Sequence, residues 1–262
     1  MAKQSAGEMP FLDHLEELRW RIIKSLAALG VGLVIGFAIV THWNLLYILQ
    51  QPIAPFLHGH KLVFTHPGDT FSITLSTAMI AGVVIASPVI IYQAWAFLSP
   101  ALYRHERRVV IPVILGAVLL FIAGVALAYF FVLPMTLKFL MNFQVESMEP
   151  MITASEYFGL VTILALAMGG VFELPILILG LAAMGLVTPA FLAKFRKYAF
   201  VLSYIVAAFI TPGDLFITTI ALTVPLYLLY ELSVLLAFIV FRKRRAKAAE
   251  YSAEQSTAGG VA

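Results

Sequence analysis

The sequence contains no cysteine. Disulfides, cysteine-bound zinc and thiol catalysis are therefore excluded. Charge is scarce too: 12% of the 262 residues are Asp, Glu, Lys or Arg, where soluble domains carry about 25%. H-E-x-x-H, G-x-S-x-G, the P-loop and G-x-G-x-x-G are missing, so the common catalytic and nucleotide-binding signatures have no place here. There is no internal repeat, which weighs against an inverted-repeat transporter. What fills the chain is apolar: 61% hydrophobic residues and a mean hydropathy of +0.96. No soluble core of this size hides so much apolar surface. Disorder, collagen-like repeats and nucleic-acid binding are excluded by the same figures. Neither an enzyme activity nor a cofactor is expected.

The expected architecture is an all-α polytopic membrane protein with six transmembrane helices in a bent, concave bundle. A span needs about 20 apolar residues. Six stretches qualify or nearly so: 22–40, 71–98, 109–137, 157–187, 198–211 and 215–241. The fifth is short. Residues 1–241 form one membrane domain, and 242–262 read as a basic, disordered cytoplasmic tail. Pro88, Pro112, Pro134, Pro175 and Pro225 lie in or at the ends of the apolar helices and suit kinks. Fifteen of the 17 basic residues fall on one side of this arrangement, leaving Lys61 and Lys138 on the other. By the positive-inside rule that side, with both termini, is cytoplasmic. Between the first two spans, the Trp43 to Leu49 run suits a helix lying at the interface. Thr153-Ala154-Ser155-Glu156 fits a capping box at the start of the fourth span.

Few residues could carry chemistry. Phe11, Leu15, Leu18 and Ile22 share one face of an amphipathic helix leading into the first span, with Asp13, Glu17 and Arg21 on another. Glu17–Arg21 reads as an ordinary i,i+4 surface pair. Against that, three carboxylates stand where the positive-inside rule favours bases. The 102–108 loop holds Glu106 among Arg104, Arg107 and Arg108. It reads either as a topogenic loop or as a carboxylate presented at the surface. Glu173 lies deep in the fourth span, beside Leu174-Pro175. An ionisable group at that depth costs at least about 2.5–3.5 kcal/mol, so it faces protein or a wet cavity. It reads either as a helix–helix hydrogen bond or as a functional intramembrane group. Glu231, nearer the basic side, suits pairing with a base. His58 and His60 read as a solvated loop pair, not a metal site, since two ligands alone rarely make one.

These residues carry a resemblance. His14-Leu15-Glu16-Glu17-Leu18-Arg19-Trp20-Arg21 resembles the H-L-x-E-L-R-x-R motif of the TatC family of twin-arginine protein translocase subunits. The segment 87–108 resembles that family's first inner-loop signature. Phe172-Glu173-Leu174-Pro175 resembles its F-E-x-P, and Thr211-Pro212-Gly213-Asp214 its short turn between the last two spans. The resemblance implies a receptor for Arg-Arg signal peptides of folded precursor proteins, set in the bacterial cytoplasmic (inner) membrane and driven by the proton-motive force. The implied partners are the single-span subunits TatA and TatB, further copies of the chain and the lipid bilayer. The implied signal-peptide site comprises Glu17, Glu106, Arg19, Leu18 and Phe97. Glu173 is the implied intramembrane polar group. Spans five and six, with Asp214, Thr218 and Glu231, form the implied docking face. Thr218 departs from the pattern, standing where some members have Gln. The alternative reading is a proton-coupled secondary transporter using Glu173.

Overall fold

The computed structural model describes residues 11–57, 59–98, 107–142, 151–211, 213 and 216–258. In hydrocarbon every backbone polar group needs an internal partner, which favours helices. The described residues are almost wholly helical: α1 Phe11–His42, α2 Leu45–Gln50, α3 Asp69–Leu98, α4 Arg107–Leu127, α5 Leu133–Asn142, α6 Ala154–Phe172, α7 Leu174–Ala183, α8 Pro189–Ile210 and α9 Ile217–Ala258. Among the described residues, five helical stretches are long and apolar enough to cross a membrane. The chain is a multi-pass helical membrane protein. Large apolar side chains cover its outside; Phe130 and Val34, for example, are 76% and 71% exposed. Such a surface suits lipid, not water.

Hydrophobic burial cannot hold helices together in lipid, so close packing must. α1 crosses α3 through small residues. A Cβ on Gly32 would lie 2.5 Å from the Gly82 carbonyl oxygen, and one on Gly36 would collide with the Ala78 carbonyl. α4 meets α6 in the same way: a Cβ on Gly124 would lie 2.6 Å from the Met168 carbonyl oxygen. Hydroxyls inside the bundle bond back to their own helix. Thr162 donates to the Phe158 carbonyl, Thr223 to Thr219 and Ser233 to Leu229, at 2.7 Å each.

Prolines shape three places. Pro134 has no N–H for the Phe130 carbonyl, and the preceding turn, Ala128–Val132, widens to π geometry between α4 and α5. Pro175 lies in the first turn of α7, and the fourth span, expected as one helix over 157–187, is broken at Glu173. The break leaves α7 ending at Ala183, followed by Gly185 at φ 81°. There the Leu186 N–H bonds the Leu181 carbonyl at 3.0 Å, closing the helix end in left-handed conformation. α8 begins well before the expected 198, because the Thr188 hydroxyl caps the Phe191 N–H at 3.2 Å and Pro189 opens the first turn. Lys194, Arg196 and Lys197 therefore ride on helix, not in a loop.

The tail differs most from expectation. α9 runs through 42 residues to Ala258, so 242–258 continue the last helix where disorder was expected. Ala246, Ala248, Ala249 and Ala253 are strong helix formers, and neither Gly nor Pro interrupts them before Gly259. At about 63 Å this helix is twice as long as the hydrocarbon is thick.

The end opposite the basic residues is tied shut. The Val63 N–H donates to the Ile152 carbonyl at 3.2 Å, and the Ala154 N–H to the Val63 carbonyl at 2.7 Å. These bonds form one isolated parallel bridge between the two long connections. The Tyr129 hydroxyl donates to the Ile48 carbonyl at 2.6 Å, and the Tyr157 hydroxyl donates to the Leu49 carbonyl. Two bundle helices thus hold the carbonyl end of α2. The Thr153 hydroxyl caps the Glu156 N–H at 3.4 Å, as the capping-box spacing predicts.

Candidate functional site

At the basic end, α1 contributes Glu17, Leu18 and Arg19. Glu17 and Leu18 are half-buried and Arg19 is exposed. Helix periodicity sets this difference, because positions i and i+1 differ by about 100° around the axis. Arg21 Nε donates to Glu17 Oε1 at 3.0 Å, and Arg21 Nη2 reaches the same oxygen. The carboxylate is thus already held by one guanidinium one turn away. α1 and α3 run antiparallel through the glycine crossing. Glu17 lies fifteen residues before Gly32, and Phe97 fifteen after Gly82. At equal rise both sit about 22 Å from the crossing, so the fold brings Glu17 and the aromatic end of α3 to one level. Phe97 is half-buried. Trp95 is 5% exposed, and its indole N–H meets no acceptor among the described residues. Glu106 lies outside the described residues.

Glu173 forms the joint between α6 and α7, at φ −78° and ψ −11°. Its N–H bonds the Gly170 carbonyl at 3.1 Å, and its carbonyl accepts from Leu177 at 3.0 Å. The backbone is satisfied, yet the side-chain Oε1 is buried with no partner among the described residues. A buried oxygen in that state carries a desolvation cost that a hydrogen bond would remove. The expected helix–helix hydrogen bond is not made by Oε1 among the described residues.

α8 and α9 form a separate region. Arg196 Nη2 and Glu231 Oε2 are 2.9 Å apart, and the Tyr227 hydroxyl donates to Glu231 Oε1 at 2.8 Å. The base expected for Glu231 is Arg196. One turn away the Tyr230 hydroxyl donates to the Leu192 carbonyl at 2.6 Å. At the far end the Thr211 and Thr219 hydroxyls are 2.7 Å apart. α8 therefore runs antiparallel along α9. Thr218 is 2% exposed, at that far end. It lies thirteen residues, about 20 Å, from Glu231 along α9, so these two docking candidates do not form one site. Asp214 lies outside the described residues.

A groove of about 1150 Å³ lies between the first half of α8 and the 231–242 stretch of α9. Ala190, Ala193, Leu235 and Phe238 line it, with Arg196 and Arg242 among its walls. Nothing in the linear pattern announces this groove, since it needs α8 to begin at Pro189. The tyrosine ties to α2 were missed as well; interface tyrosines look alike in sequence whether or not they find a carbonyl. The Gly32-x-x-x-Gly36 spacing was the available signal for the α1–α3 seam.

Comparisons with known proteins agree with one another. Residues 13–225 match the model of the family described as Sec-independent protein translocase protein (TatC). The Sec-independent protein translocase protein TatC of Desulforapulum autotrophicum is 40% identical over 248 residues, covering 94% of this chain and 90% of that protein. Its namesake from Aquifex aeolicus is 38% identical over 239 residues, covering 90% and 98%. That of Escherichia coli K12 is 35% identical over 227 residues, covering 86% of each. A crystal structure of the twin-arginine translocase receptor TatC superposes with a TM-score of 0.73 at 39% identity, covering 87% of this chain and 99% of that one.

Proposed function

Because the chain belongs to the TatC family of Sec-independent protein translocases, we propose that it is the receptor subunit that binds Arg-Arg signal peptides of folded precursors in the bacterial cytoplasmic membrane. It is not an enzyme: its work is binding and assembly. Both termini face the cytoplasm, and the basic end is the end that meets the peptide.

The observation that carries this reading is Glu17, a half-buried carboxylate held by Arg21 at the level of Phe97. A guanidinium stays charged and can fork onto a carboxylate with two parallel bonds. Arg21 instead brings both Nε and Nη2 to the single oxygen Oε1 of Glu17. An incoming peptide arginine would share or replace it, with Glu106 taking the second arginine. Leu18 and Phe97 supply apolar surface for the peptide's hydrophobic stretch, and Arg19 lies at the rim.

Single-span partners of the TatA and TatB type dock on α8 and α9. Thr218 and Asp214 serve at one end of that face and Glu231 at the other. Further copies of the chain join the same complex. Glu173 is the polar group that partner or peptide segments meet within the bilayer.

The test is copurification of the full chain with an Arg-Arg signal peptide and with its Lys-Lys counterpart. Retention of the first alone is expected; equal retention of both would overturn the reading. A second reading, a proton-coupled secondary transporter, draws on the buried Oε1 of Glu173. It requires proton uptake with a small solute in vesicles holding this chain alone.

A further inference from the structure

We propose that the α8–α9 groove holds an anionic phospholipid, its phosphate at Arg242 and an acyl chain along Ala193, Leu235 and Phe238. The two cations of the groove are differently placed. Arg196 is engaged by Glu231 at 2.9 Å. Arg242 lies eleven residues further along α9, about 16 Å toward the basic end. It is exposed, closes the last apolar stretch, and makes no ion pair among the described residues. Within the hydrocarbon a charge has to be paired, and the deeper cation is. The cation at the rim is left for an anion.

The lining has the polarity of a lipid. Leu235 and Phe238 are more than half exposed along the wall, and Ala190 and Ala193 leave width on the facing helix. The charge without an ion-pair partner among the described residues lies at one end only, since the deeper Arg196 is paired with Glu231. At about 1150 Å³ the groove is larger than the roughly 300–1,000 Å³ of a small-ligand pocket. Lys194 and Lys197 are exposed on α8, and Lys243, Arg244 and Arg245 follow Arg242 in the chain. A cluster of bases directly after a span attracts anionic headgroups. A partner helix laid along the same wall would have to bring a carboxylate to Arg242 or bury that charge unpaired. A lipid phosphate meets it without either demand.

The test is native mass spectrometry of the full chain in detergent, titrated with phosphatidylglycerol, phosphatidylcholine or glycerol phosphate. Phosphatidylglycerol should stay bound under conditions that strip the other two. Arg242→Gln should lower its retention about fivefold, the factor one base contributes near an anionic surface. Ala193→Trp, which fills the groove, should abolish the preference. Equal retention of both lipids, or wild-type retention by Arg242→Gln, would overturn the proposal. Glycerol phosphate held as firmly as the lipid would replace it with a free-phosphate site. Should Ala193→Trp fail to insert, a photoreactive residue at Leu235 decides, in membranes made without the single-span partners proposed to dock on α8 and α9. Cross-linking to lipid supports the proposal, and cross-linking to a protein helix overturns it.

Discussion

Gly32 and Gly82 meet backbone to backbone: a Cβ on Gly32 would stand 2.5 Å from the Gly82 carbonyl oxygen, and one on Gly82 2.8 Å from the Leu33 nitrogen. This crossing sets the register of α1 against α3, and with it the level of Glu17 relative to Phe97. The seam is therefore the scaffold of the basic-end site, although it lies about 22 Å away.

Gly82→Leu should open that seam. Overpacking a well-filled site costs about 1–3 kcal/mol, occasionally more, and the obstacle here is rigid backbone. Gly116→Leu is the control, since a Cβ there meets nothing within 4 Å. Thermal unfolding in detergent and limited proteolysis compare the two. Equal stability would remove the seam from the account.

Reporter fusions check topology. Fusions after Phe97 and after Ala262 should report cytoplasm, and fusions near His60 and Glu149 the opposite side. A C-terminus on the far side would defeat both the orientation and the six-span count.

Glu106→Gln tests recognition. Removing a charge-assisted hydrogen bond costs roughly 1.5–3 kcal/mol; at a wet rim the lower end, about tenfold in affinity, is expected. Membrane insertion should persist, because Arg104, Arg107 and Arg108 still orient the loop. Glu106→Lys should bind more weakly again, adding repulsion to the loss. A double-mutant cycle between Glu106 and each peptide arginine measures the coupling. A value below about 0.3 kcal/mol is within ordinary additivity error and would make Glu106 topogenic, leaving Glu17 as the candidate.

Glu173→Gln should leave insertion and thermal stability nearly unchanged while impairing export of a folded Arg-Arg precursor. The amide keeps the shape of the side chain and can still hydrogen-bond, but cannot carry charge. Undiminished export by Glu173→Ala would reduce the residue to packing at the α6–α7 joint.

α8 should thin the bilayer. Beyond Lys197, only thirteen residues, 198–210, precede the turn. They cover about 20 Å, against about 30 Å of hydrocarbon. Local thinning at the Ile210 end is the expected response to such mismatch. Spin labels along α8 report depth and water access. A dry profile of normal thickness at Ile210 would contradict the prediction.

Class and family were legible in the linear chain; six spans were expected from it, and among the described residues five helical stretches are long and apolar enough to cross a membrane. Composition alone demands lipid around the molecule, because 61% hydrophobic residues cannot be hidden from water. Segregated bases imply an orientation, and motif spacing implies a family. These are properties of composition and local order, and they need no knowledge of which helix touches which. The helix at 242–258 was open to the same kind of reading, through its alanines, but polar composition outweighed propensity there.

What only the tertiary structure decided is which groups meet. Glu231 chooses Arg196, thirty-five residues away, because α8 and α9 run antiparallel. Tyr129 and Tyr157 reach the α2 carbonyls Ile48 and Leu49 across a fold that no local pattern encodes. Glu173 is a helix joint because Pro175 cannot continue α6, yet its Oε1 lacks a partner among the described residues only because of what packs around that joint. Helix formation in a membrane follows from each segment's own backbone. Pairing and orphaning depend on crossing registers, which close approaches such as Gly32 on Gly82 set between segments far apart in the chain.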